Sequence, residues 1–171
     1  MTKKKLFSLI NYQVTTVFSV DIKDKPENSY RRTIHGHVNA CVTSVRFIPR
    51  TEWCVAGDSR GYIHVYTCPT MDEIKSFKAT GRGSVKSLAI HPTCPYLLSV
   101  SACEDDDVIE IWDWEKGWAC CRKVHVYGLA HATFNPMDAN TFVTSPYYDG
   151  SIEVGLPLLL LLLCILYERS Y

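Results

Sequence analysis

The sequence has no Cys-x-x-Cys pair, no Asn-x-Ser/Thr sequon and no excess of either charge. Its 18 basic residues balance 18 acidic ones, so nothing supplies the long-range positive field that general nucleic-acid binding needs. Lys3-Lys4-Lys5 is the basic run, and it reads as a solvated terminus rather than a localisation signal. Eight cysteines are present, but without a paired nucleus they do not spell ordinary zinc ligation. Leu6–Ile10 is too short an apolar run after the lysines for a cleavable signal peptide. Free, mostly buried thiols in a reducing cytosol are the expected setting.

Catalytic signatures are missing as well. There is no Gly-x-Ser-x-Gly elbow, no His-Glu-x-x-His and no Walker loop. Gly81-Arg82-Gly83-Ser84 lacks the Gly-Lys-Ser ending of a phosphate loop and lies between strand patterns. Asp105–Asp107 lacks the spaced oxygens and terminal Glu of a calcium loop. Glu104 and Asp105 read as a solvated loop rather than an acid/base pair. Cys120-Cys121 lies near His125, but nothing nearby marks a positive site that would lower a thiol pKa. The expectation is a non-enzymatic protein with no catalytic residue, no metal and no cofactor.

What the sequence does contain is a repeat. Three strands run into proline: Val45–Pro49, Leu88–Pro92 and Ala132–Pro136. The prolines lie 43 and 44 residues apart. Three alternating strands follow at matching places: Tyr62–Tyr66, Val108–Trp112 and Ser151–Gly155. Proline ends a strand because it cannot donate to the ladder, and each Ile-x-Val or Ile-x-Ile pair sets two β-branched side chains on one face. A period near 43 residues with four short strands per unit predicts propeller blades, each of which must be sandwiched between neighbours. Gln13–Ile22 alternates and reads as a strand of a preceding blade, Lys23–Ser29 as a turn and Tyr30–Ile34 as an edge strand. Met1–Tyr12 receives no assignment.

Gly36-His37 opens the first unit and Trp112-Asp113 closes the second, and here the chain resembles the WD-repeat family. The resemblance implies side-chain networks of an opening His, a turn Asp and the Trp. The matching residues are His37 and His125, Asp106 and Asp149, and Trp112. No unit has all three. The first carries Arg60 and Tyr66 in place of Asp and Trp, the second has Thr80-Gly81-Arg82 where a His is expected, and the third has Gly155 in place of Trp. A buried network with missing members should weaken its blade.

The runs 45–57, 88–101, 109–120 and 134–145 resemble blades two to four of the N-terminal propeller in the coatomer beta-prime family. The Trp112–Trp118 run is the most distinctive part. That resemblance implies a scaffold of the COPI coat in Golgi-to-ER transport, cytoplasmic and peripheral to the membrane, with other coat subunits and dilysine cargo tails as partners. Asp105 matches an acidic cargo contact, whereas Gly83 and Thr43 stand where an acid and an arginine are expected.

The expected fold class is all-β, a WD-repeat propeller arc of about three four-stranded blades in an open array. A segment at 1–41 holds part of a preceding blade, repeats cover 42–80, 84–121 and 123–154, and an apolar tail covers 155–171. Leu156–Tyr167 breaks the β pattern with about twelve apolar residues, short of the ~20 that a helical span needs. It reads as a tail that never evolved to fit the blades; the alternative is a membrane-tethered interaction protein anchored by it. A second chain completing the ring is a further expected partner.

Overall fold

The computed structural model describes residues 4–11, 14–21, 30–35, 40–68, 70–79, 83–103, 106–138, 141–146 and 152–155. His37, Asp105, Asp149 and Leu156–Tyr167 lie outside the described residues. Every described element is a strand, and each sheet is antiparallel and ordered along the chain. The first sheet is β1 (Lys4–Asn11), β2 (Val14–Asp21) and β3 (Tyr30–His35). Its first strand comes from residues in which the sequence pattern suggested no element.

Two four-stranded sheets follow. One is β4 (Val42–Phe47), β5 (Trp53–Asp58), β6 (Tyr62–Thr67) and β7 (Glu73–Lys78). The next is β8 (Val85–Ile90), β9 (Tyr96–Ala102), β10 (Asp107–Asp113) and β11 (Ala119–Val126). The last sheet holds β12 (Leu129–Phe134), β13 (Phe142–Pro146) and β14 (Glu153–Gly155). The all-β blade array expected from the repeat is therefore what the chain forms. The sequence boundary at Lys123 falls inside β11, whose backbone completes the second four-stranded sheet.

Strand alternation explains why the sheets stack. On β5, Cys54 and Ala56 join one buried cluster, while Val55 joins another on the opposite face. On β9, Leu97 packs toward the β4–β7 sheet, while Leu98 and Val100 pack toward the β12–β14 sheet. Side chains along a strand point alternately to opposite faces, so a sheet that is apolar on both needs a neighbour on each side. Ile63 and Val65 of β6 meet Val85, Leu88 and Leu97, and Ile109 of β10 meets Leu129, Ala132 and Phe134. Burial of each such side chain is worth ~1.5–3 kcal/mol. Exposure rises outward: β10 is buried along its whole length, whereas β7 is largely solvent-facing.

The innermost strands β4, β8 and β12 pack side by side and are stitched by hydroxyls. Leu88 N–H donates to Ser44 Oγ at 3.2 Å. One blade on, Ala132 N–H approaches Ser87 Oγ at 3.4 Å, and Ser87 Oγ lies 2.8 Å from His131 Nδ1. Ser44, Ser87 and His131 each stand five residues before the strand-ending proline. Burial, and then the Arg46 guanidinium, hold His131 below the ordinary imidazole pKa, which favours the neutral ring in this seam.

Close approach of the sheets also fixes one glycine. A Cβ on Gly57 would stand 2.5 Å from Val85 Cγ1 and 2.8 Å from its Cβ. Gly57→Ala should lower stability by ~1–3 kcal/mol through overpacking, read as a fall in the urea midpoint at unchanged m value. Adding Val85→Ala should recover part of that loss in a double-mutant cycle.

Candidate functional site

Of the residues that the family resemblance singled out, the structure describes Asp106, Trp112 and His125. They fall into two separate contacts. Trp112 is buried on β10 and its indole N–H donates to Ser99 Oγ of β9 at 2.9 Å. Asp106 lies at the entry to β10, and its Oδ2 stands 2.6 Å from His125 Nδ1 on β11. This pair is near the surface, with the His side chain 57% and the Asp side chain 22% exposed. His125, aligned with an opening His, thus closes a pair within the sheet that carries Asp106. Its neighbour Asp107 is buried and ion-paired to Lys86 Nζ at 2.7 Å. Lys86 also donates to Leu129 O across the next blade boundary, at 3.1 Å.

The first four-stranded sheet substitutes a different chain of contacts. Asp58 Oδ1 accepts the backbone N–H groups of Arg60 at 2.9 Å and Tyr62 at 2.8 Å, closing the β5–β6 turn. Its Oδ2 lies 3.4 Å from His64 Nε2, and His64 Nδ1 lies 3.3 Å from Glu73 Oε2 on β7. Three strands are thereby tied through one imidazole stacked between Tyr62 and Tyr66. Burial alone would raise the Asp58 carboxyl, but hydrogen bonds from His64, Tyr62 and Arg60 outweigh it and hold the group below the usual carboxylate value. The WD pattern points to Arg60, and so misses Asp58 two residues earlier.

The Trp112–Trp118 run forms an aromatic seam. Phe77 of β7 packs on Trp112 and Trp118, with ring centroids 4.8 and 5.7 Å away. Trp53 and Trp114 both lie against Trp118 as well. Asp113 Oδ1 accepts from the N–H groups of Glu115 and Lys116 at 3.0 and 3.2 Å, shaping the turn that returns Trp118 to the seam. Lys75 Nζ donates to Gly117 O at 2.7 Å across the same boundary.

One end of the array carries a shallow recess of about 150 Å³ between the β4–β5 and β8–β9 turns, walled by Pro49, Arg50, Pro92, Cys94, Trp114 and Glu115. It is large enough for roughly one partner side chain. Among the described residues, no three His, Cys, Asp or Glu side chains converge as metal ligands. Cys120 is exposed and Cys121 half-buried on β11.

A tryptophan bonded to a strand serine, a turn Asp near a His and a four-stranded sheet together make the geometry of one blade. Residues 28–67 and 71–113 match the WD domain, G-beta repeat family. They are WD40 repeats. The chain is similar over a short stretch to coatomer subunit beta'-2 of Arabidopsis thaliana, 45% identical over 45 residues, which is 25% of this chain and 5% of that protein. Coatomer subunit beta'-2 of Oryza sativa subsp. japonica is 42% identical over a stretch of the same size. The matched stretch therefore spans one twentieth of these curated relatives. In three dimensions the chain resembles a chain in the crystal structure of the mitotic checkpoint complex, with TM-score 0.70, 10% identity, and coverage of 88% of this chain and 44% of that one. Chaetomium thermophilum Raptor superposes with TM-score 0.63 and 12% identity over 83% of this chain and 14% of its own. At these identities the likeness is one of fold.

The two networks of these WD40 blades should respond differently to mutation. Trp112→Phe removes a buried N–H donor and leaves Ser99 short of a partner, which should cost ~1–3 kcal/mol. Asp106→Asn acts on a pair at the surface, with the His125 ring open to solvent, and should cost under ~1 kcal/mol. Chemical denaturation of both variants measures the contrast. Asp58 should govern acid sensitivity. Its carboxylate is held below the unfolded value of ~4, so its stabilisation is present above that pH and is lost as pH falls toward the folded value. Urea midpoints measured from pH 7 to pH 3 should fall in the wild type and flatten in Asp58→Asn.

Proposed function

We propose that this chain is a non-enzymatic WD-repeat scaffold that joins proteins in a vesicle coat of the coatomer type. The observation that supports this reading is the pairing of WD40 blades with sequence similarity to coatomer beta' subunits. On this reading the chain works in Golgi-to-ER transport, on the cytoplasmic side and peripheral to the membrane. The turns at the two ends of the blades, with Asp106 among them and His125 of β11 beside it, meet other coat subunits. Adjacent blades hold such turns in fixed relative positions, and a rigid set of turns needs little ordering when a partner binds.

The same reading assigns dilysine cargo a weak role here. Asp105 is the candidate ammonium contact, but two companion positions are taken up by packing. Gly83 donates its N–H to Ala102 O at 2.9 Å, and a Cβ there would meet Ala102 Cβ at 2.8 Å. An acidic side chain at that place requires the backbone to shift. The single Thr43 hydroxyl proton is shared between Gly57 O at 3.0 Å and Val85 O of the next blade, both accepting, so it serves the blade boundary where an arginine would hold a cargo carboxylate.

Two measurements test this proposal. Purified chain mixed with each purified coatomer subunit should co-elute with at least one on size exclusion; unchanged elution with all of them contradicts the scaffold reading. A fluorescent Lys-Lys-x-x peptide should fail to saturate in the micromolar range. Saturation there, abolished by Asp105→Ala, would show that this chain is a cargo receptor in its own right.

A further inference from the structure

The first four-stranded sheet gathers three sulfur atoms on one face. Cys54 lies on β5, Cys68 directly follows β6, and Met71 sits in the turn to β7. All three belong to the apolar cluster of Val42, Val45, Ala56 and Tyr66, with Cys54 fully buried and Cys68 nearly so. Cys68 Sγ lies 4.0 Å from Met71 Sδ, and Cys54 shares the same buried cluster. The register explains the meeting. Cys54 pairs with Tyr66, and Cys68 N–H donates to the carbonyl of Glu52, two residues before Cys54 and just ahead of β5. The two cysteines are thus diagonal neighbours on one face of the sheet.

Met71 is placed by an uncommon backbone. Its φ of 63° is left-handed, a conformation of appreciable cost for a side chain of this kind. The turn is fixed by Met71 N–H donating to Thr67 O at 2.7 Å and Thr67 N–H donating to Asp72 O at 2.9 Å. The outcome is that the thioether folds back over Cys68.

We propose that Cys54, Cys68 and Met71 form a binding site for a single monovalent soft metal ion of the copper(I) class. Thiolate and thioether ligands together select copper(I) over the harder divalent ions. Three sulfurs around one ion with bonds of ~2.3 Å stand about 4 Å apart, which is the Cys68–Met71 separation. Binding forms two thiolate–copper bonds and one thioether–copper bond and releases both thiol protons to solvent. The resulting group carries one net negative charge, and no electron changes hands. Nothing in the scaffold reading requires this site, and neither proposal depends on the other.

The test uses the whole chain, kept reduced and anaerobic, with copper(I) supplied in competition with a coloured copper(I) chelator. The wild type should withhold one equivalent that Cys68→Ala surrenders. Met71→Leu, which keeps both thiols and the side-chain volume, should release that equivalent at ~10-fold lower chelator concentration, with the metal-free melting temperature unchanged. Cys120→Ser removes an exposed thiol outside the cluster and should retain copper as the wild type does. Excess zinc should not displace the ion. The proposal is overturned if Met71→Leu holds copper as tightly as the wild type, if Cys120→Ser loses the same equivalent, or if zinc displaces it.

Discussion

Burial of each sheet's two apolar faces against its neighbours is the constraint on which this structure depends. A single blade offers Val55, Ile63 and Val65 to one side and Cys54, Ala56 and Tyr66 to the other. Neither set can be covered from within the blade, because side chains of one strand alternate between faces. The Ile-x-Val pair of β6 and Ile109 of β10 both point forward to the following sheet, Trp112 packs back on the preceding one, and Tyr66 takes the corresponding face of its own sheet. That shared polarity makes the repeats add as a stack.

The hydrogen bonds refine what burial imposes. In the β8–β11 sheet a tryptophan and a serine bond in the interior, while an Asp and a His meet near the surface. In the β4–β7 sheet, with Tyr66 at the corresponding place, Asp58, His64 and Glu73 link three strands instead. Different side chains thus complete the polar interior of two blades that share a backbone plan. The blade boundaries have their own polar stitching, from Ser44, Lys86 and Ser87 on the inner strands to Lys75 on the outer strand β7. These bonds resist sliding of one sheet over another, which an apolar face alone does not.

Much of this was legible before any coordinates. Prolines at 49, 92 and 136 and the alternating strands at 62–66 and 108–112 locate the blades, because both periodicities follow from backbone geometry. The Trp112–Trp118 run stands out in the sequence, but its role as a seam against Phe77 and Trp53 requires the neighbouring sheet. Ser44 and Ser87 lie 43 residues apart, at the spacing of their prolines, and so were detectable as a repeated polar position; their partners in the next blade were not. Asp58, His64 and Glu73 escaped because the family pattern draws attention to position 60. Lys4–Asn11 escaped because its strand is defined by pairing with Val14–Asp21, a relation that a short basic-then-apolar run does not announce. The sulfur site escaped since its members are linked by strand register and by a left-handed turn, with no motif spacing between them.

Mutual dependence of the blades is the central claim, and hydrogen exchange of the wild type and Leu97→Ala tests it most directly. Leu97 belongs to β9 but fills the boundary with the β4–β7 sheet. Opening a cavity there should speed amide exchange on β5 and β6 as well as on β9 and β10, by a similar factor. Faster exchange confined to β8–β11, with β5 and β6 still protected as in the wild type, would show blades that stand by themselves and would contradict the account.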